Sequence, residues 1–175
     1  FAGYIAYCQK EGIISGYADG TFRPANTLTG YAFMKMLLGA LGYDSAKEGY
    51  TGPNWSINVA KRALNIGLDD DLVGDFNGVK AVTREEACLY ALNTMTADMV
   101  EYDAKTTVST NGTTVVIAGS KAKEMVNNGN TDGKVFDKDG VMQCAEKYFD
   151  NLSVKTGSDD FARPANVWKL KAEEI

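Results

Sequence analysis

The chain has 175 residues, 45% hydrophobic and 23% charged, enough for one or two domains with real cores. A net charge of −5, with Lys and Arg scattered, argues against an electrostatic grip on nucleic acid or an anionic membrane. There is no histidine, which removes Ser-His-Asp and Cys-His catalysis and most zinc sites.

The first residues carry neither a basic leader region nor an initiator Met, so this is not a signal peptide and reads as a piece of a longer protein. Residues 1–11 place Phe1, Ile5 and Cys8 at helical spacing, and Gly12 is a stop. A loop over 13–28 comes next, punctuated by Gly16, Asp19 and Gly20, with Pro24 fixing an extended exit. Thr29 is placed to cap a second helix over 30–42, whose apolar face is Phe33, Met36, Leu37, Ala40 and Leu41. Lys35 interrupts this stretch, and no apolar run is long enough to span a bilayer.

After a polar connector the plan returns. Residues 54–66 predict a helix opened by Asn54 and Trp55, with Val59, Ala60, Ala63 and Leu64 inward. A loop occupies 67–81. A last helix runs from 84 to about 98, with Ala87, Cys88, Ala91, Leu92 and Met95 inward. Thr83 and Glu86 make a capping box at its start, and Arg84 points off the helix N-terminus. Thr29 matches Thr83 and Gly12 matches Gly67, a repeat of about 54 residues whose two hairpins should pack on each other.

Beyond Met99 the pattern changes. Two β-branched runs flank Asn111-Gly112, the preferred two-residue hairpin turn. Residues 120–127 predict a short helix, 134–136 a short strand, and 139–152 an amphipathic helix carrying Val141, Ala145, Tyr148 and Leu152. The tail reads as loop up to Arg163-Pro164, then as a strand over 167–170. The boundary falls near residue 100. The three cysteines, Cys8, Cys88 and Cys144, lie far apart and read as small apolar residues, so they do not fix the compartment.

Gly16-Tyr17-Ala18-Asp19-Gly20-Thr21-Phe22-Arg23-Pro24 resembles the loop of the S-layer homology (SLH) motif of bacterial surface proteins, and Thr83-Arg84-Glu85-Glu86 resembles the box opening its second helix. Trp55 stands where the second motif's opening aromatic is expected. The resemblance covers residues 1–99: a first motif over 1–43, truncated at its start, and a second over 54–99. It implies a mainly α fold of tandem helix-loop-helix repeats, with 100–175 a small α/β segment containing a β-hairpin. It also implies non-covalent anchoring to secondary cell-wall polymers, often pyruvylated saccharides, outside the cell in the wall or surface layer. The partners implied are that polysaccharide and further SLH motifs of a parent chain, with no cofactor, nucleic acid or membrane span.

The saccharide-binding residues so implied are Arg84, Thr83, Glu85, Trp55, Gly16, Tyr17, Asp19, Gly20 and Thr21. An arginine at a helix N-terminus suits an anionic carboxylate, and Tyr17 or Trp55 offers an apolar face to a sugar ring. Each has a plainer role beside it: Tyr17 and Phe22 as loop pins, Trp55 as core, Arg84 in a surface salt bridge with Asp69 to Asp75. There are departures too. Gly30 stands where the first motif has its arginine, and the second loop has lost the Asp-Gly-Thr-Phe-x-Pro pattern and gained Asp69, Asp70, Asp71 and Asp75. The alternative is therefore a structural scaffold that has kept the fold and lost the saccharide. A retained site predicts Arg84 facing an open groove lined by Tyr17 or Trp55; a scaffold predicts Arg84 tied to the acidic loop.

The C-terminal segment resembles, less specifically, the stretch downstream of tandem SLH motifs in some clostridial surface proteins. Arg23-Pro24-Ala25-Asn26 recurs as Arg163-Pro164-Ala165-Asn166, a candidate decayed third motif. Asn128, Asn130, Asp132 and Asp139 have the oxygen spacing of a calcium loop, weakened by Asn at position one and Asp at twelve; a metal-free polar turn is the plainer reading. No pair of carboxylates is singled out as an acid/base couple, so the chain does not read as an enzyme.

Overall fold

The computed structural model describes residues 1–17, 19–103, 106–110, 113–117, 121–127, 140–149, 151–171 and 173–174. Four helices come first: α1 (Ala2–Lys10), α2 (Gly30–Ala40), α3 (Trp55–Asn65) and α4 (Arg84–Thr96). Then come β1 (Val100–Tyr102), β2 (Thr106–Thr110), β3 (Thr113–Ile117), β4 (Ala122–Glu124), a short α5 (Cys144–Tyr148), β5 (Leu152–Ser158), β6 (Pro164–Leu170) and β7 (Glu173–Glu174). Among the described residues the architecture is mixed α/β rather than mainly α: four helices before residue 97, and after it the short α5 and three small antiparallel sheets pairing β1 with β4, β2 with β3, and β5 with β6 and β7.

The core is built where α2 packs against α3 and α4. Met34, Leu38 and Leu41 meet Val59, Ala63, Leu68 and Tyr90 in one cluster. Met99, Val100 and Cys144 join the same cluster, so the backbone beyond α4 packs directly on the helices. The Val100 N–H donates to the Leu41 carbonyl at 2.8 Å, and Gly42, at φ +99°, leaves no room for a Cβ against the Val100 carbonyl. Tyr102 completes the seam: its hydroxyl donates to Glu48 Oε1 at 2.8 Å and accepts from the Asp44 N–H at 3.1 Å.

Helix existence follows the predicted plan, but two buried faces differ. In α2 the fully buried stripe is Gly30, Met34 and Leu38, with Phe33 and Leu37 flanking it. In α4 the buried residues are Tyr90 and Thr94, while Cys88 and Leu92 are exposed. Thr94 tolerates burial because its hydroxyl donates to the Tyr90 carbonyl at 2.7 Å. No residue of α1 is fully buried, and Phe1 is wholly exposed.

The C-terminal half departs further. Residues 122–124, expected in a helix, form β4, with Val100 opposite Glu124 and Tyr102 opposite Ala122. The predicted helix over 139–152 shrinks to α5, because Val141 bridges Val126 and Gln143 bridges Asp98, leaving Leu152 to open β5. β5 also replaces part of the expected tail loop, and β6 starts at Pro164, so Arg163-Pro164 closes a β-hairpin rather than entering a helix. β2 and β3 pair with Thr110 opposite Thr113, as the hairpin reading requires. The turn residues Asn111 and Gly112, the strand expected over 134–136, and the calcium-loop candidates Asn128, Asn130, Asp132 and Asp139 lie outside the described residues.

Candidate functional site

The predicted site residues fall in three places. Gly16, Tyr17, Asp19, Gly20 and Thr21 close the first loop on itself. The Tyr17 N–H donates to the Thr21 carbonyl at 2.8 Å, and the Gly20 N–H to the Tyr17 carbonyl at 2.9 Å. Asp19 Oδ1 accepts from the Thr21 N–H at 3.0 Å and from its hydroxyl at 2.6 Å. Arg23 donates to Thr21 Oγ1 at 2.9 Å, pairs with Asp19, and lies 4.6 Å over the Tyr17 ring. The Tyr17 hydroxyl accepts from Asn26 at 3.0 Å. These bonds hold the Asp19 carboxyl below its usual value, the Thr21 hydroxyl and amide contributing most. Gly16 sits at φ +71°, and a Cβ there would be 2.8 Å from the Thr21 carbonyl oxygen.

Thr83, Arg84 and Glu85 form the second place, at the start of α4. Thr83 Oγ1 accepts from the Glu86 N–H at 3.2 Å and Glu86 returns the bond to the Thr83 N–H at 2.7 Å. That bond lowers the Glu86 carboxyl. Arg84 is exposed, and among the described residues no ion pair joins it to Asp69, Asp70, Asp71 or Asp75. Among the described residues Arg84 makes no cation–π contact with Tyr17 or Trp55.

Trp55 is the third place. It opens α3 half-buried, edge-on to Tyr31 at 6.4 Å, and Tyr31 continues edge-on to Phe76 at 5.8 Å. Lys35, one turn beyond Tyr31 on α2, holds its ammonium 5.6 Å from the Trp55 ring centre. Burial lowers the Lys35 pKa, and among the described residues no carboxylate pairs with it. The sequence had shown Lys35 only as the break in an apolar run. A lone cation on an otherwise apolar helix was the available signal.

Gly30, where the resemblance expects an arginine, is confined by its surroundings. The α2 N-terminus is filled by backbone from the second loop: the Gly30 N–H donates to the Lys80 carbonyl at 3.0 Å and the Tyr31 N–H to the Gly78 carbonyl at 2.8 Å. A Cβ on Gly30 would sit 3.1 Å from both the Asn77 carbonyl oxygen and Gly78 Cα. An anion cannot approach amides already used in this way.

The S-layer homology domain model matches residues 1–30. The Middle cell wall protein of Brevibacillus brevis is 26% identical over 101 residues, 58% of this chain. The chain spans only 9% of that protein's length. No solved structure matches it.

Proposed function

We propose, from the S-layer homology sequence at its N-terminal end, that this chain anchors a surface protein by holding an anionic wall saccharide non-covalently. The setting is the cell wall or surface layer. Residues 1–99 are read as two tandem motifs that carry the contact, and 100–175 as a segment docked behind them. The observation that carries the reading is Lys35, a half-buried cation with an indole for a neighbour and no carboxylate among the described residues. A sugar carboxylate supplies the missing charge, while Trp55 supplies an apolar ring face. Arg84 adds an exposed guanidinium at the start of α4, and the first loop displays Tyr17 at 44% exposure.

A second reading, a scaffold without saccharide, is favoured by the plugged α2 N-terminus and by the internally satisfied Asp19, Thr21 and Arg23. Pelleting with purified Gram-positive cell walls separates the two, using walls with and without acid extraction of their secondary polymer. Anchoring predicts that wild type pellets only with unextracted walls, that Lys35→Met stays in solution, and that Arg84→Ala pellets less. Wild type remaining in solution with both kinds of wall overturns anchoring by this chain alone and leaves a scaffold, or a site completed by a further motif of the parent chain.

A pH titration adds a direction. Because the folded-state Lys35 pKa is lowered, its cation costs stability at neutral pH, and that cost is relieved as pH rises through the folded value. Wall binding should therefore fall at a pH where exposed lysines are still charged, with no loss of fold.

A further inference from the structure

A cleft of about 990 Å³ opens between the C-terminal ends of α3 and α4, the connector after α2, and the β1–β4 ribbon. It lies at the other end of α3 from Trp55, roughly 16 Å away along an 11-residue helix. None of the residues read from sequence as saccharide contacts lines it. We propose that this cleft is a separate binding site for a neutral, hydroxyl-rich saccharide segment, independent of the Lys35–Trp55 face.

The cleft carries charges of both signs on its walls. Arg62 donates to Glu48 at 3.4 Å and lies 5.2 Å over the Tyr43 ring. Lys123, on the cleft wall, is 2.7 Å from Asp103 and 3.3 Å from Glu101, which lie outside the lining. Within the cleft the Arg62–Glu48 pair sets donors directly beside an acceptor. That geometry suits neighbouring hydroxyls, each of which donates once and accepts twice. Asn93 spends its NH₂ on the Leu68 and Asp70 carbonyls, at 3.2 and 2.9 Å, so its own carbonyl is an available acceptor. Lys121, on the rim, has no ion-pair partner among the described residues and adds a mobile donor.

Other ligand classes fit less well. Glu48, Asp70, Asp98 and Glu124 balance Lys47, Arg62, Lys121 and Lys123 on the same walls, so the lining offers an anion no net attraction. Among the described residues no group of three or more acidic or thiol side chains could hold a metal ion. A purely apolar ligand would strip water from these paired charges without replacing its hydrogen bonds.

The experiment is a two-dimensional amide and side-chain NMR titration of the whole chain with triacetylchitotriose, a neutral probe, and with trigalacturonate, an anionic one. The neutral probe should shift the Arg62 Nε–H, the Asn93 side-chain amide and the Lys123 amide with a millimolar Kd, leaving the Trp55 indole in place. Trigalacturonate should not shift the cleft signals. Thr96→Trp, which fills the cleft from the last turn of α4, should abolish the shifts. Lys121→Leu, a surface change that spares the packing, should weaken them about fivefold, and Lys35→Met should leave them unchanged. The proposal is overturned by an absence of cleft shifts up to about 20 mM neutral probe. Equal or tighter cleft binding of trigalacturonate, or shifts that survive in every cleft variant, also overturns it. Failed wall pelleting with intact cleft binding would sink the anchoring reading alone.

Discussion

The two loops that join helix to helix are held in opposite ways. The first, residues 13–28, keeps the recognisable motif and folds on itself at the surface, through Asp19, Thr21, Arg23 and Tyr17. The second, residues 67–82, does not carry that pattern and is part of the core: Leu68 and Gly78 are buried, and Leu72, Phe76 and Val82 pack on the main cluster. Its backbone also occupies the α2 N-terminus. A loop that carries its own hydrogen bonds can be altered without disturbing its neighbours. A loop packed into the core cannot.

The difference predicts where substitutions hurt. The largest loss is expected where backbone meets backbone. Gly42→Ala combines a positive φ with a collision against the Val100 carbonyl, and should cost about 3 kcal/mol in a urea melt, or prevent folding. Gly30→Arg restores the arginine that the resemblance expects. It should nonetheless lower stability by about 2 kcal/mol, because its Cβ presses on Asn77, Gly78 and Phe76, and it should not improve wall pelleting. A more stable Gly30→Arg protein would break the comparison, since the second loop would then not be wedged there. Gly16→Ala, in the first loop, should disturb that loop and leave the global transition cooperative.

The helix caps sharpen the same contrast at a smaller scale. Thr83→Ala removes a complete capping box and should cost about 1 kcal/mol. Thr29→Ala should cost only about 0.3 kcal/mol, because its bond to the Ala32 N–H is long, at 3.4 Å, and the second loop's carbonyls already serve α2. Paired urea melts of the two variants decide it; equal losses would mean that the backbone plug contributes nothing.

Helix positions and caps were legible because Thr29, Thr83, Gly12, Gly42 and Gly67 mark the ends with residues of specific backbone chemistry. The phase of the faces was less so. α2 is apolar nearly all round, so periodicity cannot say that Met34 and Leu38 rather than Met36 and Ala40 reach the centre. In α4 the burial of Thr94 depends on a hydroxyl bond to its own helix, which apolar counting does not weigh. β4 was missed because Ala122, Lys123 and Glu124 are helix formers, overridden by pairing with β1. For the site, the motif residues were legible as loop and cap formers and fall in three separate places, while Lys35 came into view only through its burial beside Trp55.

The smallest effect tests what the motif loop is for. Asp19 and Arg23 are mirrored by Asp159 and Arg163, where Asp159 Oδ1 accepts from the Phe161 and Arg163 amides at 2.9 and 3.0 Å and Arg163 lies 5.1 Å over the Phe161 ring. One lock thus closes a helix-to-helix loop and the other a β-hairpin, so Arg163-Pro164-Ala165-Asn166 marks a reused turn and not a third helical motif. Both carboxyls are held below their usual value, Asp19 first by Thr21 and Asp159 first by Arg163. A lowered folded-state value means that the contribution is present above the unfolded value and is lost as pH falls through the folded one. Acidification should therefore speed hydrogen exchange at the Thr21 and Arg163 amides before the core opens, and Asp19→Asn should do the same for Thr21 alone at neutral pH. If those amides instead exchange together with the core amides of α2, the lock is continuous with the core, and the separation between a self-supporting loop and a supporting one fails.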